Sequence, residues 1–220
     1  MVHTPLLLAL LFSWLIPSMD STSRVSAPAA AVVVENAEVA AASELYGALC
    51  LEGELAEPVF TAGYRHMARY GVTGKVIAIA DMSQPSDAKR LYIIDLEKKE
   101  LVLRTWVAHG QGSGDRMCSS FSNQEGSHQT SMGLYRVGAE IVSPKHGRAL
   151  LLHGLERGLN NNALDREVIM HGADYVSPEF IATNGRCGRS WGCPAVSKEQ
   201  MPRMIDLLAD GGLLYVYGKR

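Results

Sequence analysis

Length, composition and charge already exclude several classes of protein for this chain of 220 residues. With 47% hydrophobic and 20% charged residues, it is long enough for one well-packed domain and a short extension. The formal net charge of −2 and the lack of any basic run argue against nucleic-acid binding, which needs a clustered basic surface. We therefore expect one globular domain without a nucleic-acid partner.

The first residues have the character of an export signal. Residues 6–16 form an apolar stretch that is too short to span a bilayer but sufficient for the core of a signal peptide, and small residues follow at positions 27–31. No Lys or Arg precedes this core, so an uncleaved membrane anchor is the alternative. We expect residues 1–31 to be a signal peptide and processing region of a protein exported to the periplasm or cell envelope.

The next segment predicts a linker followed by helices. Residues 18–42 are mostly Ser, Ala, Val and Pro with little pattern, which is typical of a disordered linker. A helical pattern starts at Ser43, breaks near Gly53 and Pro58, and resumes to residue 70. We assign residues 32–71 to a linker and N-terminal helices outside the main domain.

Residues 72–220 contain most of the strand signals. The β-rich runs are residues 75–80, 91–96, 101–108, 133–137, 149–153, 168–171, 195–196 and 213–217. Two helices fit between them, one capped by Ser177 and one following a capping-box pattern at Ser197. The pattern predicts a mainly β domain with a few helices, of the α+β class.

Two residues carry the expected chemistry. His171 ends a short apolar run, and Cys193 lies in a turn beside Gly192. A thiol needs a nearby base to act as a nucleophile, and N–H groups in a glycine-flanked turn can bind a developing oxyanion. We predict Cys193 as the nucleophile and His171 as its base, in a thiolate–imidazolium pair, with the N–H groups of Gly192 and Cys193 as oxyanion donors.

These segments resemble a known family. The His-Gly pair at residues 171–172, the Ser-Trp-Gly-Cys motif at 190–193 and the Thr-Ser-Met-Gly-Leu-Tyr segment at 130–135 are similar to landmarks of the L,D-transpeptidase catalytic domain, in the same order. The surrounding residues at 127–133, 155–162 and 171–177 resemble the divergent YkuD-like branch of this family, the murein L,D-transpeptidases. The resemblance covers roughly residues 72–220, for which it implies an L,D-transpeptidase-like β-sandwich catalytic domain.

The resemblance also implies an activity. Members of the family are transferases that act on peptidoglycan stem peptides of the cell wall through an acyl-cysteine and use no cofactor. An amine acceptor gives a 3–3 cross-link, whereas water gives L,D-carboxypeptidase activity, and both outcomes stay open here. The resemblance further implies that the carbonyl of Gly172 orients the imidazole of His171, and that carbapenems acylate Cys193.

The substrate contacts differ from those of the better-known members. Trp191 and Ala195 stand where those members have His and Arg. Arg189 and Arg186 lie just upstream and offer a guanidinium for a peptide carboxylate, and His153 repeats the His-Gly pair after another apolar run. The residues that we expect to bind substrate are Ser190, Trp191, Arg189 and His153, and we also expect Ser190 to fix the turn that carries Cys193. The histidines without an expected role are His3, His66, His109 and His146.

The remaining cysteines suggest disulfides rather than a metal site. In an exported chain the default state of a cysteine is a disulfide, but a nucleophilic Cys193 must stay free. At most one bridge then forms among Cys50, Cys118 and Cys187, and the spacing does not pair them. A zinc site is not expected, because the chain lacks the close Cys pair typical of such sites.

Two other functions remain open at this level. The replacements at Trp191 and Ala195 are compatible with a peptidoglycan-binding module that has lost catalysis. A cysteine peptidase of another family would use the same two residue types on ordinary L-peptides. Formation of an acyl-enzyme separates the first alternative from an active transpeptidase, and substrate stereochemistry separates the second.

Overall fold

The computed structural model describes the backbone of residues 29–219 and the side chains of residues 36–219. The expected signal core at residues 6–16 lies outside this part of the chain. None of the helices in residues 29–219 has the length and apolarity needed to cross a membrane.

Two helices open the described chain. Helix α1 spans Ala29–Ala48 and helix α2 spans Glu57–Arg69. The expected disordered linker is therefore wrong from Ala29 onward, because alanine is the strongest helix former and favours a helix without any periodic pattern. In α2, Pro58 occupies the first turn, where its missing N–H costs no hydrogen bond.

Eight strands and two further helices follow in the order that the sequence predicts. The strands are β1 (Val76–Asp81), β2 (Leu91–Asp95), β3 (Glu100–Thr105), β4 (Gly133–Ser143), β5 (Gly147–Gly154), β6 (Ile169–Gly172), β7 (Ala195–Val196) and β8 (Leu213–Tyr217). The helices are α3 (Pro178–Asn184), whose N-cap Ser177 accepts a hydrogen bond from the N–H of Phe180, and α4 (Met201–Leu208). The expectation of a mainly β fold with a few helices is confirmed.

All eight strands belong to one mixed sheet, in the order β3-β2-β1-β8-β4-β5-β6-β7. Strand β8 runs parallel to β1 and antiparallel to β4, and β6 runs parallel to β7. Each face carries its own apolar cluster: Ile77 and Ile79 face α2, while Ala78 and Ala80 face the cluster that includes α4. This alternation follows from the two-residue period of a strand, and each buried isoleucine contributes about 1.5–3 kcal/mol.

The far end of the sheet positions the candidate site. In the ladder, His171 of β6 lies opposite Ala149 of β5 on one side and Ala195 of β7 on the other. The N–H of His171 also donates to the carbonyl of Pro194 at 3.4 Å. Cys193 lies two residues before Ala195, the first residue of β7. The sheet therefore brings the predicted base and the predicted nucleophile onto neighbouring segments.

Candidate active site

His171 is held in one tautomer by the backbone. Its side chain is 1% exposed, and its Nδ1 lies 3.1 Å from the carbonyl oxygen of Gly172, the contact that the family resemblance implied. A carbonyl only accepts, so Nδ1 carries the proton and Nε2 keeps its lone pair. The ring is therefore arranged to accept a proton at Nε2.

Burial keeps this imidazole neutral. Loss of hydration lowers the pKa of His171 to about 4, and the positive charge of Lys145 acts in the same direction. At neutral pH the ring is uncharged and is available as a base. This lowered pKa disfavours the imidazolium that the sequence analysis expected, because the burial of the ring was not visible in the sequence.

His146 packs directly on this ring, although the sequence analysis assigned it no role. It lies in the turn between β4 and β5, and its ring centroid is 3.7 Å from that of His171 with an interplanar angle of 25°. The stacking restrains the plane of the His171 ring. Nothing in the local sequence indicates this contact, since it joins a hairpin turn to a separate strand.

Cys193 rests as a neutral thiol. Its side chain is partly buried, and its Sγ donates a hydrogen bond to the carbonyl of Glu167 at 3.8 Å. Burial raises the pKa of Cys193, while the N–H of Ile169 and the guanidinium of Arg166 act in the opposite direction. With a raised thiol pKa and a lowered imidazole pKa, the structure favours a thiol and a neutral imidazole over the predicted thiolate–imidazolium pair.

Ser190 fixes the turn that carries the thiol. Its Oγ donates to the carbonyl of Cys193 at 2.5 Å and accepts from the N–H of Gly192 at 3.1 Å. Ser190 is buried and both bonds stay within the turn, which agrees with the expectation that it fixes the turn, whereas its role in substrate binding stays a prediction. The N–H of Gly192 is likewise occupied, which leaves the N–H of Cys193 as the oxyanion donor of the predicted pair.

The segment at residues 108–111, which follows β3 along the chain, forms backbone hydrogen bonds with the turn that carries Cys193. Ala108 and Ala195 exchange backbone hydrogen bonds, at 2.8 Å from the Ala108 N–H and at 3.4 Å from the Ala195 N–H. The N–H of Ser190 donates to the carbonyl of His109 at 3.0 Å, and the N–H of Gln111 donates to the carbonyl of Ser190 at 2.8 Å. The nucleophile turn is thus anchored at both of its ends.

The buried side chain of His109 has a different partner from that of His171. Its Nδ1 accepts a hydrogen bond from Nη2 of Arg90 at 2.7 Å, and Arg90 is itself fully buried. Burial and this guanidinium lower the pKa of His109 to about 4. Its Nε2 is buried without a hydrogen-bond partner among the described residues.

Of the residues expected to bind substrate, Arg189 is held by other partners and His153 lies far along β5. Arg189 lies 3.3 Å from a carboxylate oxygen of Asp115 and donates to the carbonyl of Gly114 at 3.1 Å, and Arg186 lies 2.9 Å from the same carboxylate. His153 sits four residues along β5 from Ala149, roughly 13 Å from the level of His171. The structure therefore does not bring Arg189 or His153 to the thiol.

Trp191 is the expected substrate residue that does stand open beside the thiol. Its side chain is 65% exposed, and its ring stacks on His128 with centroids 5.0 Å apart and an interplanar angle of 11°. The Nζ of Lys145, from the same turn as His146, lies 4.4 Å from the centroid of the Trp191 ring. The turn between β4 and β5 therefore borders both the candidate base and the exposed indole.

Arg166 is a further residue that sequence reasoning missed. Its guanidinium donates to the carbonyls of Ser122 at 2.8 Å and Gln129 at 2.6 Å, and to the hydroxyl of Ser131. It is partly buried, and its charge opposes the rise that burial causes in the pKa of Cys193. A basic residue in a polar loop is common, so no sequence signal distinguished Arg166 from the other arginines.

The other cysteines do not compete for this chemistry. Burial raises the pKa of Cys118 and of Cys187 to about 11, and the thiol of Cys187 donates to the carbonyl of Ser86 at 2.9 Å. All four cysteines are free. Within residues 29–219, no three His, Cys, Asp or Glu side chains are grouped as a metal site requires.

Comparisons with known proteins agree with the motifs. Residues 54–217, more than half of the chain, match the sequence profile of the L,D-transpeptidase catalytic domain. No curated protein matches the sequence. The match extends upstream of residue 72 and includes helix α2.

Solved structures of three relatives are similar at low sequence identity. An L,D-transpeptidase from Mycobacterium smegmatis has 15% identity over 66% of this chain and 59% of its own, with a TM-score of 0.40. L,D-transpeptidase 1 of Mycobacterium tuberculosis has 13% identity over 66% of this chain and 62% of its own, with a TM-score of 0.38. The chain thus spans less than two thirds of the length of these two proteins.

The third relative is an L,D-transpeptidase from Stackebrandtia nassauensis, with 12% identity over 81% of this chain and 91% of its own, and a TM-score of 0.39. These likenesses are distant, and the profile match over most of the described residues is the stronger finding. On that match, the chain belongs to the L,D-transpeptidase catalytic domain family.

Proposed function

We propose that this protein is an exported L,D-transpeptidase or L,D-carboxypeptidase that acts on peptidoglycan stem peptides through an acyl-cysteine at Cys193. Membership of the family supports the reaction class. The observation that carries the proposal is the contact of His171 Nδ1 with the Gly172 carbonyl, together with the pairing of His171 with Ala195, which lies two residues after Cys193. The proposal includes Cys193 as nucleophile, His171 as base and the Cys193 N–H as oxyanion donor.

The first half of the reaction forms a thioester. The thiol of Cys193 leaves the Glu167 carbonyl by rotation about its Cα–Cβ bond and passes its proton to Nε2 of His171 as Sγ attacks the peptide carbonyl carbon. The oxyanion that forms is stabilised by the backbone N–H of Cys193, a donor worth about 3–4 kcal/mol in such sites. The carbon–nitrogen bond then breaks, and the leaving amine of the terminal residue takes the proton back from His171.

The second half releases the acyl group. An incoming amine or water gives a proton to His171 and attacks the thioester carbon, and the sulfur leaves and is reprotonated by the imidazolium. An amine from a second stem gives a cross-link, and water gives the shortened stem. Because the resting pair is neutral, the proton moves together with the attack, and the positive charges of Arg166 and Lys145 favour the negative charge that develops on sulfur.

Location at the cell envelope is part of the proposal. The substrate of the family lies outside the cytoplasm, and residues 1–31 have the length and apolar core of a signal peptide. N-terminal sequencing of the protein recovered from the envelope fraction tests this point. A mature N-terminus between residues 17 and 31 is expected, whereas an intact Met1 in a cytoplasmic fraction contradicts export.

The reaction class is tested by mass spectrometry of the protein after incubation with a carbapenem. We expect one covalent adduct on Cys193, since the family resemblance implies acylation of the nucleophile by this class of β-lactam. The adduct is expected to disappear in Cys193→Ala, together with a loss of tetrapeptide turnover of about a thousandfold or more. Cys50→Ala is the matched control, because Cys50 is an exposed free thiol outside the site. An adduct on any other residue, or turnover that survives Cys193→Ala, contradicts the proposal.

A further inference from the structure

The surroundings of Cys193 contain a positive charge with no anionic partner. Lys145 is exposed and takes part in no ion pair among the described residues, and its one aromatic contact is with the Trp191 ring. By contrast, Lys75, Lys98 and Lys198 all lie within 4.0 Å of a carboxylate oxygen. The lysine nearest the candidate nucleophile turn thus keeps its donors available.

The other cations of this region are already committed. The guanidinium groups of Arg186 and Arg189 share the carboxylate of Asp115. Arg166 uses its N–H groups on backbone carbonyls and on the Ser131 hydroxyl. An ammonium carries three donors and no acceptor, and a cation–π contact uses none of them for a hydrogen bond. Lys145 is therefore the cation of this region best able to receive an anionic group from solution.

Trp191 gives this charge a fixed apolar neighbour. Its ring is supported on one side by the nearly parallel ring of His128, yet 65% of the residue remains exposed. An exposed indole next to an ammonium suits a ligand that combines a small aliphatic group with a carboxylate. A ligand held there would lie close to the thiol, because Trp191 precedes Cys193 by two residues and the Lys145 ammonium lies 4.4 Å from the centroid of the Trp191 ring.

We propose that Lys145 and Trp191 bind the terminal carboxylate of the stem peptide, on the residue that leaves when the acyl-enzyme forms. This inference rests on the proposed function, since it assigns one end of the same substrate. The ammonium pairs with the carboxylate, and the side chain of the leaving residue packs on the indole. Lys145, from the turn between β4 and β5, thereby takes the role in carboxylate binding that was expected of Arg189. The site then selects stem peptides that end in a free carboxylate.

Binding measurements in a Cys193→Ser background test this site without turnover. Two tetrapeptide stems are compared by isothermal titration calorimetry, one with a free C-terminal carboxylate and one with a C-terminal carboxamide. We expect the acid to bind about fivefold more tightly than the amide, the upper range for a partly exposed ion pair. Lys145→Met is expected to remove this preference by weakening the acid alone, and Lys145→Arg to retain it.

Lys89→Met supplies the matched control. Lys89 makes the same type of contact, with its Nζ 4.8 Å from the centroid of the Trp106 ring, outside the proposed site. The preference for the acid is expected to survive this change. Equal affinities of the two peptides for Cys193→Ser, an unchanged preference in Lys145→Met, an equal weakening of both peptides, or no binding of either peptide overturns the carboxylate site.

The two proposals fail in different ways. A protein that binds the acid selectively but never forms an acyl-enzyme in the wild type contradicts the proposed function and leaves the carboxylate site standing. A protein that forms the acyl-enzyme but keeps its preference for the acid in Lys145→Met contradicts the carboxylate site alone.

Discussion

His171 and His109 are two buried imidazoles on either side of the nucleophile turn, and burial lowers the pKa of each to about 4. They differ in what holds Nδ1. In His171 the partner is the Gly172 carbonyl, which accepts a proton, whereas in His109 it is the Arg90 guanidinium, which donates one. The two rings are therefore opposite tautomers.

This difference decides which ring can act as a base. A carbonyl on Nδ1 leaves the lone pair of Nε2 free, so His171 can take a proton there. A guanidinium on Nδ1 uses the only lone pair of a neutral ring, so His109 has none left to accept with. A low pKa alone therefore does not distinguish His171, the candidate base, from His109. The hydrogen-bond partner of Nδ1 does.

The largest expected difference between the two rings lies in turnover. His171→Gln is expected to lower kcat/KM for a tetrapeptide stem by about a thousandfold, within the usual range for loss of a general base. His109→Gln is expected to lower it by less than about tenfold, because the amide oxygen still accepts from Arg90. Steady-state assays at neutral pH measure both. Similar losses in the two variants would show that the tautomer argument does not identify the base.

The pH dependence of turnover sharpens the comparison. Because the pKa of His171 in the folded protein is about 4 rather than the ordinary 6.5, its basic form predominates well below neutral pH. We expect kcat/KM to stay nearly constant from about pH 7 to pH 5.5 and to fall as the pH drops through about 4, where the ring becomes protonated. Circular dichroism at each pH supplies the folding control. An acidic limb near pH 6.5 would mean that the ring is solvated in the free enzyme.

Stability is expected to show the contribution of both rings. In the unfolded chain each histidine titrates near 6.5, so on acidification the unfolded state binds protons that the folded state does not take up until about pH 4. The free energy of unfolding is therefore highest above pH 6.5 and falls between about pH 6.5 and pH 4, by roughly 3 kcal/mol for each ring. Urea unfolding at several pH values measures this loss. His109→Gln is expected to reduce the loss by about half, and an unchanged loss would mean that His109 is protonated in the folded protein.

The sequence predicted the sheet better than it predicted the site. Strong β-rich runs between turn signals located all eight strands, while residues 29–42 of α1 were missed because their alanines and valines have no helical periodicity. The motif residues Cys193 and His171 were found by spacing and resemblance. The domain boundaries after residues 31 and 71 and the catalytic roles themselves stay predictions.

What the sequence did not indicate are contacts between distant segments and the effects of burial. Lys145 and His146 reach the site from a hairpin turn, and Arg166 reaches it from a loop, so no local pattern relates them to Cys193. The preference for a neutral thiol–imidazole pair depends on the loss of hydration in the folded state. Ser190 was assigned both to substrate binding and to fixing the turn, and its hydrogen bonds within the turn agree with the second role.

The place of β8 in the middle of the sheet has a consequence for the order of folding. Residues 213–217 lie between β1 and β4 and supply the backbone hydrogen bonds that join the first three strands to the next four. The sheet is therefore incomplete until the last strand of the chain is available, and a nascent chain holds two unpaired strand edges until then. Contacts of such large sequence separation are associated with slow folding, so we expect the complete sheet to form late and to be the slow step of folding.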